Sequence, residues 1–255
     1  MLTAITRAPS AAIARCELTF LAREPIDLTR ALGQHDVYVE CLRQLGVRVV
    51  EVPAEPDLPD ATFVEDAALV LDELVVITRP GAPSRRTELA SVAAALEPYR
   101  PLRFLEAPAT LDGGDVLRID RTLCVGVGSR TNVDGAAQLA AILAPYGYTV
   151  RTASFDGCLH LKSAVTYLGR GLVLANLDWV DAGQFAGCQA LAVPPDEPHA
   201  ANTLTISGVT LVPAGNPHTE ALLAAHGFTV RPLDISELQK AEAGVTCSSL
   251  LFTTS

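Results

Sequence analysis

The stretch PDATFVEDAALVLDELVVITRPGAPS (residues 59–84) reads as a polar edge, a strand, a turn at Asp72-Glu73, and a second strand ending in Arg-Pro-Gly turn chemistry. The same plan returns three times. TLDGGDVLRIDRTLCVGVGSRTN (110–132) turns at Ile119-Asp120-Arg121, LHLKSAVTYLGRGLVLAN (159–176) at Gly169-Arg170-Gly171, and HAANTLTISGVTLVPAGNP (199–217) at Ser207-Gly208. A fifth copy opens with GVTCSSLLFTT and lacks a second strand of its own. LTAITRAPS (2–10) resembles the closing strand of the first copy, ITRPGAPS (77–84), so the N-terminal strand is expected to complete the fifth unit. Helical periodicity separates the strand pairs at Asp27 to Leu45, Thr87 to Leu96, Val133 to Leu143, Val180 to Ala190 and Glu220 to His226. The expectation is an α/β fold of five ββα units around an axis, forming one domain over residues 1–255. An open α/β sandwich whose strands only look periodic is the competing arrangement.

Aligning the copies brings Glu65-Asp66, Asp112, His160, Asn202 and Cys247 into phase, about 42 to 48 residues apart. Equivalent positions in a pseudo-symmetric ring face the same centre, so carboxylates, an imidazole and a thiol should converge there. Each residue also has a structural explanation taken singly. Cys247 fits core filler, since free cysteine is among the most buried residue types. His160, between Leu159 and Leu161, fits a satisfied strand histidine. LDGGD (111–115) fits a tight turn and PDATFVED a solvated acidic loop. Filler has no reason to fall in register, and the shared phase favours a site.

The chemistry of that set is nucleophilic. Thiolate is the reactive form of cysteine, an imidazole can take its proton or lower its pKa, and a carboxylate can orient the imidazole. Asp60, Glu65 and Asp66 crowd one loop, where they repel anions and match the planar N–H fork of a guanidinium. Cys158 and His160, two apart on a strand, offer two ligands that could meet Cys247 at a metal, but neither a fourth ligand nor a CxxC spacing accompanies them, so no metal is expected.

Composition narrows the partners. A net charge of −10 and 49% hydrophobic residues fit a cored domain whose partner is a small cation, not nucleic acid or an anionic membrane. No apolar run nears the roughly 20 residues of a membrane span, and the N-terminus has no secretory-signal pattern. Six cysteines without a CxxC pair read as reduced thiols, which points to the cytoplasm.

PDATFVED, ITRPGAPSRR, TLDGGDVL, SRTN, LHLKS and GVTCS, in this order and spanning residues 2 to 252, resemble the dimethylarginine dimethylaminohydrolases of the guanidino-group modifying (pentein) superfamily. The resemblance implies a five-bladed α/β propeller closed by the N- and C-terminal strands. It further implies hydrolysis of N-omega-methylated arginine to citrulline without a cofactor, by a monomer or homodimer. Cys247 is then the nucleophile, His160 the general acid and base, and Asp112 the third catalytic member. Leu18, Asp60, Glu65, Asp66, Arg85, Arg130 and Ala241 would contact substrate, Asp66 at the guanidinium, Arg85 and Arg130 at the carboxylate, Leu18 from a lid segment (ARCELTF) and Ala241 through its carbonyl. Glu242 stands where these relatives usually have Asp. A deiminase of unmethylated arginine or agmatine, a non-catalytic propeller that binds ligands, and a cysteine peptidase are the alternatives.

Overall fold

The computed structural model describes residues 1–254. β1 (Leu2–Arg7) leads through α1 (Leu28–Gln44) to β2 (Arg48–Val52), which lies parallel to β1. The plan then repeats. β3 (Ala68–Val70) and β4 (Val75–Ile77) form a hairpin, α2 (Leu89–Leu96) crosses over, and β5 (Leu102–Phe104) returns parallel to β4. β6 (Val116–Ile119), β7 (Thr122–Gly126), α3 (Val133–Leu143) and β8 (Thr149–Ala153) make the next unit. A one-turn helix, α4 (Leu161–Ala164), precedes β9 (Val165–Gly169), β10 (Leu172–Ala175) and β11 (Gln189–Ala192). β12 (Leu204–Ile206), β13 (Val209–Pro213), α5 (Pro217–Ala225) and β14 (Thr229–Leu233) follow, then the short α6 (Ser236–Gln239). Finally β15 (Ser249–Thr253) pairs antiparallel with β1, from Leu2↔Thr253 to Thr6↔Ser249. The result is an α/β fold of five three-stranded sheets.

The unit is therefore ββαβ, one strand longer than the ββα expected. The third strands, such as Leu102–Phe104, are short and expose alternate or successive residues, so they carry little apolar signal. The helix expected over Val180 to Ala190 is absent. The Asp181 carboxylate instead accepts the Gly183 N–H at 2.8 Å to cap a single 3₁₀ turn, and Gly187 takes φ +86°, which breaks any helix there. The other helices agree within a few residues; Asp27 caps α1 by accepting the Arg30 N–H.

Apolar clusters bridge units that are neighbours in sequence. Val76 and Leu74 pack with Leu123 and Leu139, and Leu117 and Cys124 with Leu161 and Val173. Leu168 and Leu174 meet Val212 and Leu223, and Leu211 and Leu233 meet Ala4 and Leu42. The fifth unit meets the first through Ile5, Leu250 and Phe252 against Val75, Ile77 and Val92. A cavity of about 300 Å³ is lined by β3, β6, β9, β12 and β15 together, so the first strands of all five units face one interior space. No helix among the described residues is long and apolar enough to cross a membrane.

Candidate active site

The phased residues do not sit in the strands. Glu65, Asp66 and Cys247 lie in 3₁₀ turns at Val64–Ala67 and Thr246–Ser248, Asp112 and His160 are the N-caps of the 3₁₀ turn Gly113–Asp115 and of α4, and Asn202 lies two residues before β12. A turn at the mouth of each unit points its polar side chain away from the sheet and toward its neighbours.

Asp112 and Asp115 divide the work of holding His160. Asp112 Oδ2 lies 3.1 Å from His160 Nε2, and its other oxygen accepts the Gly81 N–H at 2.9 Å. Asp115 accepts the Leu161 N–H at 3.0 Å and the Thr131 hydroxyl at 2.6 Å, which fixes the turn that begins at His160. The two glycines of LDGGD serve close approach. A Cβ on Gly113 would sit 2.0 Å from the Glu65 carbonyl oxygen, and one on Gly114 would sit 2.7 Å from His160 Nδ1 and 2.9 Å from Asp66 Oδ1. Neither has a positive φ, so the need is for space and not for a turn conformation.

Asp66 accepts the Gly114 N–H at 2.8 Å and pairs with Arg85 Nη1 at 2.6 Å. Burial would raise the Asp66 carboxyl, but the charges of His160 and Arg85 prevail and bring it down to about 2. His160 shows the opposite balance. Burial alone would lower it, and the carboxylates of Asp66, Asp115 and Asp112 push it up to about 9. Atoms of Asp66, Asp112 and His160 lie within 4.8 Å of one another, so these three, not Cys158, are the set that could take a metal. Each is already engaged in the bonds above, an arrangement suited to holding a proton. Cys158 packs in the core with its sulfur 3.4 Å from the His160 carbonyl oxygen.

Cys247 lies in the turn before β15, with the Gly244 N–H donating to its sulfur at 3.3 Å and Asn202 accepting the N–H of Thr246 at 3.0 Å. Burial, then the negative charges of Glu65 and Asp66, push its thiol well above the ordinary value, so it rests protonated.

Cys247 and His160 line one small cavity of about 20 Å³ together with Asp60, Asp66, Arg85, Arg130 and Ala241. Three other expected residues stand off its wall. Asp112 lies behind His160. Glu65 is held beneath by Lys162 Nζ at 2.5 Å and the Thr246 hydroxyl at 2.7 Å, and it lines the 300 Å³ interior space instead. Leu18 packs in the apolar cluster of Phe63 and Ala241, against which Cys247 also rests, while Glu17 takes the place on the wall. Arg85 is fully enclosed and donates to Glu88, Asp66 and the carbonyls of Asp60 and Phe63. Arg130 donates to the Thr19 hydroxyl at 3.2 Å.

The segment around Leu18 forms a strap over the cavity. Asp60 accepts the Glu17 N–H with both oxygens at 3.2 and 3.1 Å, and the Glu17 carboxylate takes the Ser84 hydroxyl at 2.5 Å. Glu242, itself in the left-handed region at φ 60°, accepts three successive strap N–H groups, from Thr19, Phe20 and Leu21, at 3.0, 2.5 and 2.6 Å. Asp115, Lys162 and Thr246 lie inside motifs already singled out, LDGGD, LHLKS and GVTCS, yet the partners Leu161, Glu65 and again Glu65 are 46, 97 and 181 residues away, where periodicity carries no signal.

Residues 10–190 match the family profile described as N,N dimethylarginine dimethylhydrolase, eukaryotic. An N(G),N(G)-dimethylarginine dimethylaminohydrolase of Streptomyces coelicolor is 41% identical over 249 residues, covering 97% of this chain and 95% of that one. A cysteine-to-serine mutant of the Pseudomonas aeruginosa enzyme, complexed with citrulline, superposes with a TM-score of 0.93 at 31% identity and 98% coverage of both chains. A histidine-to-glycine dimethylarginine dimethylaminohydrolase carrying an S-methyl-L-thiocitrulline adduct gives 0.94 at 32%, covering 98% of this chain and 99% of that one.

Proposed function

Because the chain belongs to the dimethylarginine dimethylaminohydrolase family, we propose that its cavity hydrolyses N-omega-methylated arginines to citrulline and dimethylamine or methylamine. It is a hydrolase acting on the C–N bond of a linear amidine. One observation carries the assignment of roles: a protonated thiol, an imidazole raised to about 9 and the Asp66 carboxylate meet at one buried cavity.

The guanidinium is a cation, and its arrival offsets the Glu65 and Asp66 charges that hold the Cys247 proton. The thiol then releases that proton to solvent as its sulfur adds to the guanidinium carbon. Protonated His160 donates to the methylated nitrogen, the C–N bond breaks, and the amine leaves, with a thiouronium on Cys247. Neutral His160 takes a proton from water as the water oxygen adds to the same carbon. Collapse breaks the C–S bond and leaves the ureido group, and the hydroxyl proton returns to the thiolate. Asp112 keeps the imidazole oriented and favours its charged form. Asp66 would bind the guanidinium, while Asp60 and the carbonyl of Ala241 would serve the ammonium and Arg85 and Arg130 the carboxylate. A cavity of about 20 Å³ has room for about one water, so the strap must lift for an amino acid to enter.

We also read the five sheets as blades of one closed propeller. The support is the set of apolar clusters linking each unit to the next and the fifth to the first, with β1 pairing to both β15 and β2.

The test is to incubate the purified protein separately with dimethylarginine, arginine and agmatine and to assay ureido product. Citrulline from dimethylarginine is expected, and lost in Cys247→Ser with an unchanged circular dichroism spectrum. Ureido product from arginine alone would overturn the reading.

A further inference from the structure

Arg85 lines the catalytic cavity but is held from behind. Its Nε lies 3.2 Å and its Nη2 3.0 Å from Glu88 Oε2, and Nη2 also reaches the carbonyls of Asp60 and Phe63 at 3.2 Å each. Nη1 donates to Asp66 at 2.6 Å. A guanidinium has five N–H groups in a rigid fork, so these bonds leave one Nη1 hydrogen without a protein acceptor among the described residues. Glu88 is 3% exposed and closes the 3₁₀ turn Pro83–Glu88 that carries Arg85. Arg7, buried in β1, fixes the same region by donating to Ser91 at 2.7 Å and to the carbonyls of Pro53 and Ala61 at 3.1 Å each.

Without the Glu88 carboxylate, the geometry leaves Arg85 one ionic partner, Asp66. The fork would rotate onto both Asp66 oxygens, because a bidentate pair is the preferred arrangement of these groups. Its unpaired hydrogen would then turn from the cavity, while Asp66, with about four lone-pair sites, keeps its contact with Gly114 and a position for the substrate guanidinium. Two carboxylates on opposite edges of the fork prevent that rotation.

We propose that Glu88 is a positioning residue which holds Arg85 edge-on, so that its remaining Nη1 hydrogen faces the cavity and selects substrates bearing an α-carboxylate. The proposal rests on the function and the Arg85 carboxylate contact assigned above, and deepens them by naming the residue that holds Arg85 in place. Arg130 supplies the other carboxylate contact, and Arg85 with Glu88 behind it makes the pair.

Binding is measured by calorimetry in the Cys247→Ser background, with asymmetric dimethylarginine and dimethylagmatine as ligands. Glu88→Gln is expected to weaken dimethylarginine by roughly tenfold, the loss of one charge-assisted hydrogen bond, and dimethylagmatine by less than about twofold. With Cys247 intact, KM for dimethylarginine should rise while kcat stays within about twofold, and Glu88→Asp should recover part of the discrimination. Equal weakening of both ligands, or no weakening of either, overturns the proposal; equal weakening with a lowered thermal midpoint marks Glu88 as merely structural. Should Glu88→Gln fail to fold, Glu88→Asp alone decides, since a smaller loss confined to dimethylarginine is expected there. Binding of both ligands without turnover in the parent enzyme overturns the reaction proposed above, while the affinity ratio still decides the role of Glu88.

Discussion

His160 keeps its proton because three carboxylates outweigh its burial, and that sets the pH window of the site. The proton delivered to the leaving amine is present below about 9, so kcat/KM should fall as pH rises through that value, in a pH–rate profile on dimethylarginine. The stability consequence has the same sign. A folded pKa of about 9 above an unfolded value of about 6.5 means stabilisation that is complete below the lower value and lost as pH rises through the upper. A kcat/KM flat to pH 10 would remove His160 as the acid. Gly114 offers a second check. Gly114→Ala places a methyl against His160 Nδ1 and Asp66 Oδ1, and a displacement near 1 Å costs roughly a hundredfold in rate. The thermal midpoint should fall as well, because the methyl also lies 2.9 Å from His160 Cγ and both His160 and Asp66 are buried and held by their partners. At this scale Cys247, His160 and Asp66 were legible through their common phase. Asp115 and Glu88 were not, since each works by a hydrogen bond to a neighbouring turn or side chain, which leaves no pattern in spacing.

Cys16 and Leu18 anchor the strap in an apolar cluster, but its outer end, Thr19 to Leu21, is held by a carboxylate rather than by apolar packing, for Phe20 and Leu21 remain exposed. Glu242→Ala removes the acceptor of three consecutive N–H groups, and a charge-assisted bond is worth about 1.5–3 kcal/mol. Amide exchange at Thr19, Phe20 and Leu21 should quicken by roughly tenfold or more, with KM for dimethylarginine raised. Unchanged exchange would show that other contacts close the strap. Periodicity located the longer helices and the hairpins because these bury one face. It missed β5 and β8, whose residues are largely exposed, and it read a helix over 180–190, where small and apolar residues mimic the helical period around Gly183 and Gly187.

Across the whole molecule, four sheets are built from strands near one another in sequence, and the fifth joins β1 to β15. The resemblance of LTAITRAPS to ITRPGAPS exposed that pairing, whereas the contacts between units, made by side chains of different copies, have no sequence signature. Ile5, fully buried in β1, packs with Leu250 and Phe252 of β15 and Val75 of the first unit. Ile5→Ala should cost about 2–5 kcal/mol in a denaturant titration. A loss of activity at lower denaturant than the loss of far-ultraviolet circular dichroism would mark the fifth sheet as first to part; coincident transitions would mark a single cooperative unit. Pairings of such long separation form late, since the loop they close is largest. Cys247 sits two residues ahead of that junction, so the thiol enters its pocket only when the most distant pairing has formed. Reactivity of this enzyme thus doubles as a report on folding: a chain arrested with four sheets complete has its acid and its carboxylates assembled, but no nucleophile beside them.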